Sequence, residues 1–210
     1  MKNLIIVGAG GMGRTVFDIA RESIGHEEEF VIKGFLDDNS KVLDRFKGSP
    51  PVLGSIKDYE IQPEDVFTWS IGCVQTRKRC CEAIISKGGK FITLIHKTVR
   101  LGTNAKVGQG SIIAAFASLG ADAIVGDFVL VQAYSVVAHD VNVGNWARID
   151  THVVCVGGTV VEEEATVYTN SVLNHKVVVE KRAIVAACSF VIKKVQAGTT
   201  VYGNPAKRLV

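Results

Sequence analysis

From Leu101 onward the apolar positions recur every six residues, through sixteen consecutive hexapeptides ending at Gln196. The first position is Leu, Ile or Val in all but one of them, where it is Cys155, and the fifth is always Ala, Ser, Thr or Val. A period of six does not fit an α-helix, whose repeat is about 3.6 residues. It fits a parallel β-helix in which each hexapeptide forms one side of a triangular prism and turns one corner. Three sides make an 18-residue coil, so the run predicts about five coils with first and fifth positions inward. Residues 18 apart then stack at the spacing of neighbouring strands, about 4.8 Å.

The first half follows a different pattern. "LIIV" at 4–7, "FVIKGFL" at 30–36 and "VFTWSIG" at 66–72 read as strands. Helical patterns lie between Arg14 and Ser23 and across "TRKRCCEAIISKG", and "FITLI" at 91–95 closes the segment. Alternating strands and helices predict a small parallel sheet with helices packed on it. Two domains are expected: a Rossmann-like α/β domain over residues 1–95, and an all-β parallel β-helix with a short tail over 98–210.

Stacking in the second half turns sequence into geometry. Sorted by coil, the third positions form three columns. One reads Gln109, Asp127, Asn145, Glu163, Lys181 and is a solvated face. The second reads Ala115, Ala133, Thr151, Thr169, Ala187, all small enough to admit a close neighbour. The third reads Thr103, Ala121, His139, Gly157, His175, Lys193. His139 is followed by Asp140, and a carboxylate bonded to one ring nitrogen fixes the tautomer and raises the basicity of the other. Gly157, one coil on, lets a ligand approach the backbone and offers an N–H to a developing oxyanion. A base beside an N–H donor is the outline of an acyl-transfer site.

Composition narrows the classes. The 210 residues are 47% hydrophobic and 21% charged, with a formal net charge of +3. No Lys/Arg run is interleaved with aromatics, so nucleic acid is not an expected partner. Five cysteines without a C-x-x-C spacing fit free thiols in a reducing compartment. No apolar run reaches membrane-spanning length and the opening "MKNLIIVGAGG" is too short for a signal segment, so a soluble cytoplasmic protein is expected.

Three other chemistries compete. "GAGGMG" at 8–13 fits G-x-G-x-x-G between a strand and a helix, with Asp37 where a ribose-binding acid would sit, as in a dinucleotide-dependent dehydrogenase. Only about 95 residues precede the repeats, half of a full dinucleotide fold. His139 and His175, two coils apart, resemble the zinc ligands of β-helical carbonic anhydrases, but Glu180 stands where those enzymes carry a third His. The third is a non-catalytic sugar-nucleotide sensor, which would bind without turnover. No metal site is expected.

The repeats and the ending "VYGNPAKRLV" resemble the left-handed parallel β-helix acyltransferases. "IIVGAGGMGR", "GFLDDN", "SIGCVQTRKR" and "LIHKTV" occur in the order seen in the sialic-acid O-acetyltransferase and bacillosamine N-acetyltransferase group, the NeuD/PglD-like family. The resemblance implies acetyl transfer from acetyl-CoA to a nucleotide-linked amino sugar for surface glycan synthesis, or to a sugar hydroxyl, without a metal. It implies His139 as general base supported by Asp140, with Gly157 facing the thioester. It places coenzyme A between subunits of a homotrimer, against Arg148, Gly157, Thr169 and Ala187. It assigns the nucleotide sugar to Gly10, Gly11, Met12, Asp37, Asp38 and Gly72. Met12 stands where the family often has His, and a thioether cannot replace that imidazole's hydrogen bonds.

Overall fold

The computed structural model describes residues 1–209, which divide into two compact units, Met1–Leu94 and a second beginning at Ile95. In the first unit, β1 (Lys2–Val7), β2 (Phe30–Leu36), β3 (Val52–Gly54) and β4 (Asp65–Trp69) form a parallel sheet in the order β3-β2-β1-β4. Leu4, Ile5, Ile6 and Val7 are fully buried, as a central strand covered on both faces requires. Helix α1 (Gly11–Arg21) follows β1 and α2 (Val74–Ser86) follows β4. The sheet differs from the sequence expectation at both ends. The three-residue β3 is too short to show a period, and the "FITLI" segment contributes one bridge, Phe91 to Phe67, in place of a full strand.

One polar network lies within this unit. The Asp65 carboxylate, its side chain fully buried, takes Lys33 Nζ at 2.9 Å, Tyr59 Oη at 2.8 Å and the Gln62 N–H at 2.8 Å. Burial alone would raise its pKa, but these donors outweigh it and hold the carboxyl below its ordinary value.

The second unit is a parallel β-helix. Its three sheets hold two-residue strands paired in a constant register of 18, such as Val136 with Val154 and Val154 with Val172. First positions from Ile113 to Val191 and fifth positions from Ser111 to Val195 are buried. Buried hydroxyls at fifth positions stay bonded: Ser111 Oγ donates to Gly126 O and accepts from the Val129 N–H, and Ser135 Oγ donates to Asp150 O. That satisfies the rule that a buried polar group must find a partner.

Each corner is built the same way. The fourth position of every hexapeptide from Asn104 to Cys188 lies in the left-handed region, with φ between +55° and +71°. Only Gly110 and Gly158 among these are glycines, so the other side chains carry an unfavourable backbone imposed by the coil. The fourth-position N–H donates to the third-position carbonyl one coil back, as Asp140 does to Ala121 and Gly158 to His139, both at 3.0 Å.

The repeat runs from Ile95, one side earlier than its sequence signal, and it breaks before the end. Val195 pairs with Val179 and Thr200 with Ile184, an offset of 16. The sixteenth hexapeptide therefore supplies a side two residues short. Beyond it, Thr200–Tyr202 pairs antiparallel with Lys207–Arg208.

Candidate active site

The corner after the six-stranded sheet carries His139, Gly157 and His175 in successive coils, aligned by the pairing of strands 136–137, 154–155 and 172–173. His139 Nδ1 and Asp140 Oδ2 lie 2.7 Å apart. The left-handed backbone of Asp140 (φ +58°) is the corner's own requirement, and Asp tolerates it well. With Nδ1 engaged, Nε2 is the free ring nitrogen, and it is turned onto Gly157. The Gly157 amide makes no hydrogen bond among the described residues, whereas its carbonyl accepts from the Lys176 N–H. A ring nitrogen without a partner and an amide that makes no hydrogen bond among the described residues thus adjoin at this corner, groups of the kind that take a proton from a nucleophile and stabilise an oxyanion.

Arg148, Thr169 and Ala187 lie elsewhere. They sit on or just after strands of the eight-stranded sheet, at the corner before the six-stranded one. Within one chain the structure does not bring them to His139. Arg148 is engaged by its own chain: Nε and Nη2 donate to the two Asp150 oxygens at 2.6 and 2.9 Å, and the guanidinium lies 5.4 Å from the Tyr168 ring centroid. This corner also holds an aromatic stack that sorting third positions leaves unseen. Phe116, Tyr134 and His152 follow one another at 5.0 and 5.1 Å between ring centroids. The fourth-position column, read by itself, contains that signal.

His175 and Glu180 do not form a metal set with His139. Glu180 accepts from Lys194 and from the Ala197 N–H, and the described residues hold no cluster of three His, Cys, Asp or Glu side chains suited to a metal. His96 is buried against Phe116 and bonded to Thr98 through Nδ1.

In the first unit, the predicted pocket residues gather at the carboxyl ends of the strands. The chain runs from β1 to β2 and β3 on one side, then crosses to β4 on the other, so the loops after β1 and β4 meet where strand order reverses. That is where open α/β sheets take their ligands. The two loops are tied together: Ser70 Oγ lies 2.7 Å from Gly8 O and 3.0 Å from Val7 O. Gly8 has φ +99°, which favours glycine. Gly13 serves packing, since a β-carbon there would strike the Gly8 carbonyl and push α1 off β1. Around Gly10 nothing lies within 4 Å of such a carbon, and around Gly11 only Arg14 Nη2 at 4.0 Å. The first N–H groups of α1, with no side-chain cap and no acidic residue in the first turn, face this open ground beside Met12.

Asp37 bonds its own chain. Oδ2 accepts from the Ala9 N–H and Oδ1 from the Asn39 N–H, both at 2.9 Å, so it braces the glycine turn against the end of β2. Asp38 beside it is exposed. Gly72 precedes α2, whose N-cap is Cys73, an exposed thiol that sequence reading passed over. Hydrogen bonds from the Thr76 backbone and hydroxyl hold that thiol below its ordinary pKa. Arg77 lies buried with its guanidinium 4.2 Å from the Trp69 ring centroid, in the core of the unit.

Residues 3–84 match the family model described as the PglD N-terminal domain. UDP-N-acetylbacillosamine N-acetyltransferase of Bacillus subtilis (strain 168) is 30% identical over 119 residues, 55% of this chain and 52% of that protein. The match thus spans about half the length of this curated relative. The acetyltransferase domain of PglB from Neisseria gonorrhoeae FA1090 superposes with a TM-score of 0.89 over 100% of both chains at 28% identity. That domain is also known in complex with acetyl coenzyme A. PerB from Caulobacter crescentus, in complex with CoA and GDP-perosamine, shares the fold at 22% identity, with a TM-score of 0.89 over 100% of this chain and 98% of its own. The family model thus covers the first unit, and the gonococcal domain matches the whole chain, so the chain is similar in its first unit to the PglD N-terminal domain and in its whole fold to that acetyltransferase domain.

Proposed function

We propose that this protein transfers an acetyl group from acetyl-CoA to the amino group of a nucleotide-linked amino sugar. The observation that carries the reading is the corner at His139, with Nδ1 held by Asp140 at 2.7 Å and Nε2 turned onto Gly157. In the reaction the sugar nitrogen attacks the thioester carbonyl carbon and passes a proton to His139 Nε2. Asp140 stabilises the imidazolium through Nδ1, and the Gly157 N–H receives the charge on the carbonyl oxygen. Collapse breaks the carbon–sulfur bond and releases coenzyme A. The named activities of the Bacillus and Neisseria relatives support acetyl transfer, and the Neisseria domain's complex supports acetyl-CoA as donor.

The glycine turn, Met12, Asp38 and Gly72 at the strand-order reversal would hold the nucleotide end of the acceptor, with Asp37 bracing the turn. Thr169 and Ala187 lie on a different corner from His139, so a coenzyme touching both sets needs a second copy of the chain. This favours a homotrimer with the donor cleft between subunits. Sedimentation at working concentration should give three times the monomer mass, and a monomer alone would sink the shared cleft.

The decisive assay measures free coenzyme A thiol released from acetyl-CoA against UDP-, GDP- and dTDP-linked 4-amino sugars, their hydroxyl counterparts and free sialic acid. Turnover with an amino sugar is expected, falling about 10²–10⁴-fold in His139→Ala. Turnover only with hydroxyl acceptors would make the protein an O-acetyltransferase. Binding of a nucleotide sugar without any turnover would make it a sensor.

A further inference from the structure

We infer that Gly157 is the positioning residue of the His139 imidazole: its missing side chain is the space in which the ring sits. The inference rests on the acetyl-transfer reading for its kinetic meaning and on geometry for the contact. A β-carbon built on Gly157 would fall onto Nε2 of His139, 2.5 Å from Cε1 and 3.1 Å from Cδ2. Three ring atoms therefore crowd the volume of one methyl group. Gly157 is buried, while the side chains of His139 and Asp140 are 63% and 66% exposed. The ring covers the glycine and keeps its other surface in solvent.

The backbone does not explain a glycine here. Gly157 is not among the residues of positive φ, whereas its neighbour Gly158 is, at φ +71°. The corner does not explain it either, because the same column carries Thr103, Ala121, His175 and Lys193 in other coils. What sets this coil apart is an imidazole one coil before it that is held by its own neighbouring carboxylate and turned onto the glycine; His175, one coil before Lys193, is followed by Lys176 and has no such carboxylate beside it. An exposed side chain has several rotamers to choose from. Two contacts select one of them: Asp140 at Nδ1, and the bare Gly157 under Nε2. The second places the proton-accepting nitrogen beside the amide that would receive the oxyanion.

Gly157→Ala isolates this role. Alanine keeps the N–H, so an oxyanion donor survives, and the exposed ring is free to swing aside without unfolding the coil. Coenzyme A release with acetyl-CoA and the responsive amino sugar should fall about 10²-fold or more, in kcat with both KM values little changed. In a His139→Ala background the same substitution should cost nothing further, because the residue acts through the ring. The double variant, with the ring gone, should fold even if the single variant does not. Equal losses in both backgrounds would overturn the inference. A readout independent of turnover is the imidazole NMR signal of His139, assigned by its absence in His139→Ala. Gly157→Ala should shift that signal, and an unchanged signal would overturn the inference as well. Wild-type protein without coenzyme A release would instead defeat the acetyl-transfer reading, leaving the NMR comparison to decide the contact.

Discussion

The β-helix and the sheet unit carry their information in opposite ways. Through most of the β-helix each position does one job: first positions from Ile113 and fifth positions from Ser111 bury, and the fourth turns the corner, whereas Leu101 in the opening coil stays exposed. Position in the repeat therefore gives position in space, and His139, Gly157 and His175 fall into line without any contact being known. In the sheet unit no position repeats. Gly8 bends the chain, Gly10 and Gly11 stand in the open, and Gly13 admits a helix, although all belong to one short glycine-rich run. A periodic unit thus exposes its site to sequence arithmetic, and a unit of unique loops hides it until the strands are ordered.

The sharpest test of that contrast is a one-residue insertion. Placed between Val161 and Glu162, it moves inward residues outward for the coils that follow. The β-helix should lose its cooperative melt and become protease-sensitive, while the same insertion after Gly48, on an exposed loop, should leave the melt in place. Retention of the melt in the first variant would show that the coils re-register freely. Next in size is Gly13→Ala, which drives a methyl into the Gly8 carbonyl. It should cost about 1–3 kcal/mol in chemical denaturation, and nucleotide-sugar affinity should fall with it. An unchanged midpoint would mean that α1 is not held by that approach.

Lys33→Met tests the sheet unit's other unique feature. It leaves the Asp65 carboxylate buried without its cation, at a cost of about 1–3 kcal/mol. The pH dependence has a definite sign. A carboxyl whose folded pKa is depressed stabilises the fold above its ordinary value of 3.8, and that contribution is lost as pH falls through the lower folded value. Wild-type protein should therefore lose stability on acidification below about pH 4, and Asp65→Asn should flatten that limb. The same limb in both proteins would place its origin elsewhere. Smallest is Tyr134→Ala, which removes the middle ring of an exposed stack and should cost about 0.5–1.5 kcal/mol. A larger loss, growing with protein concentration, would point to an intermolecular contact at that corner.

The β-helix was legible in sequence because its core residues recur at fixed intervals, and the acid neighbouring His139 stood in plain view. The ring's place over Gly157 was not legible, since a column shows which residues stack but not where a side chain leans. β3 went unseen because Val52–Gly54 is shorter than any period it could display. The last hexapeptide kept its spelling while its geometry failed: Val195 is apolar and inward in either register, so the two-residue slip left no mark in the pattern. Asp37 accepts from the Ala9 and Asn39 N–H groups and so braces the glycine turn, a contact that spacing along the chain does not display.

The shortened side at Val191–Val195 bears on how such a stack stops. A coil that matches the one before it presents a fresh row of N–H and C=O groups, an invitation to another coil from the same molecule or a different one. Nothing in a perfect repeat specifies a last turn. Here the offset changes from 18 to 16, and a strand bearing Lys207 and Arg208 returns in the opposite direction. A newcomer in the old register finds neither the spacing nor the direction it needs, and meets two cations at the rim. At this edge the irregularity removes the matched register that a further coil of the same kind would need.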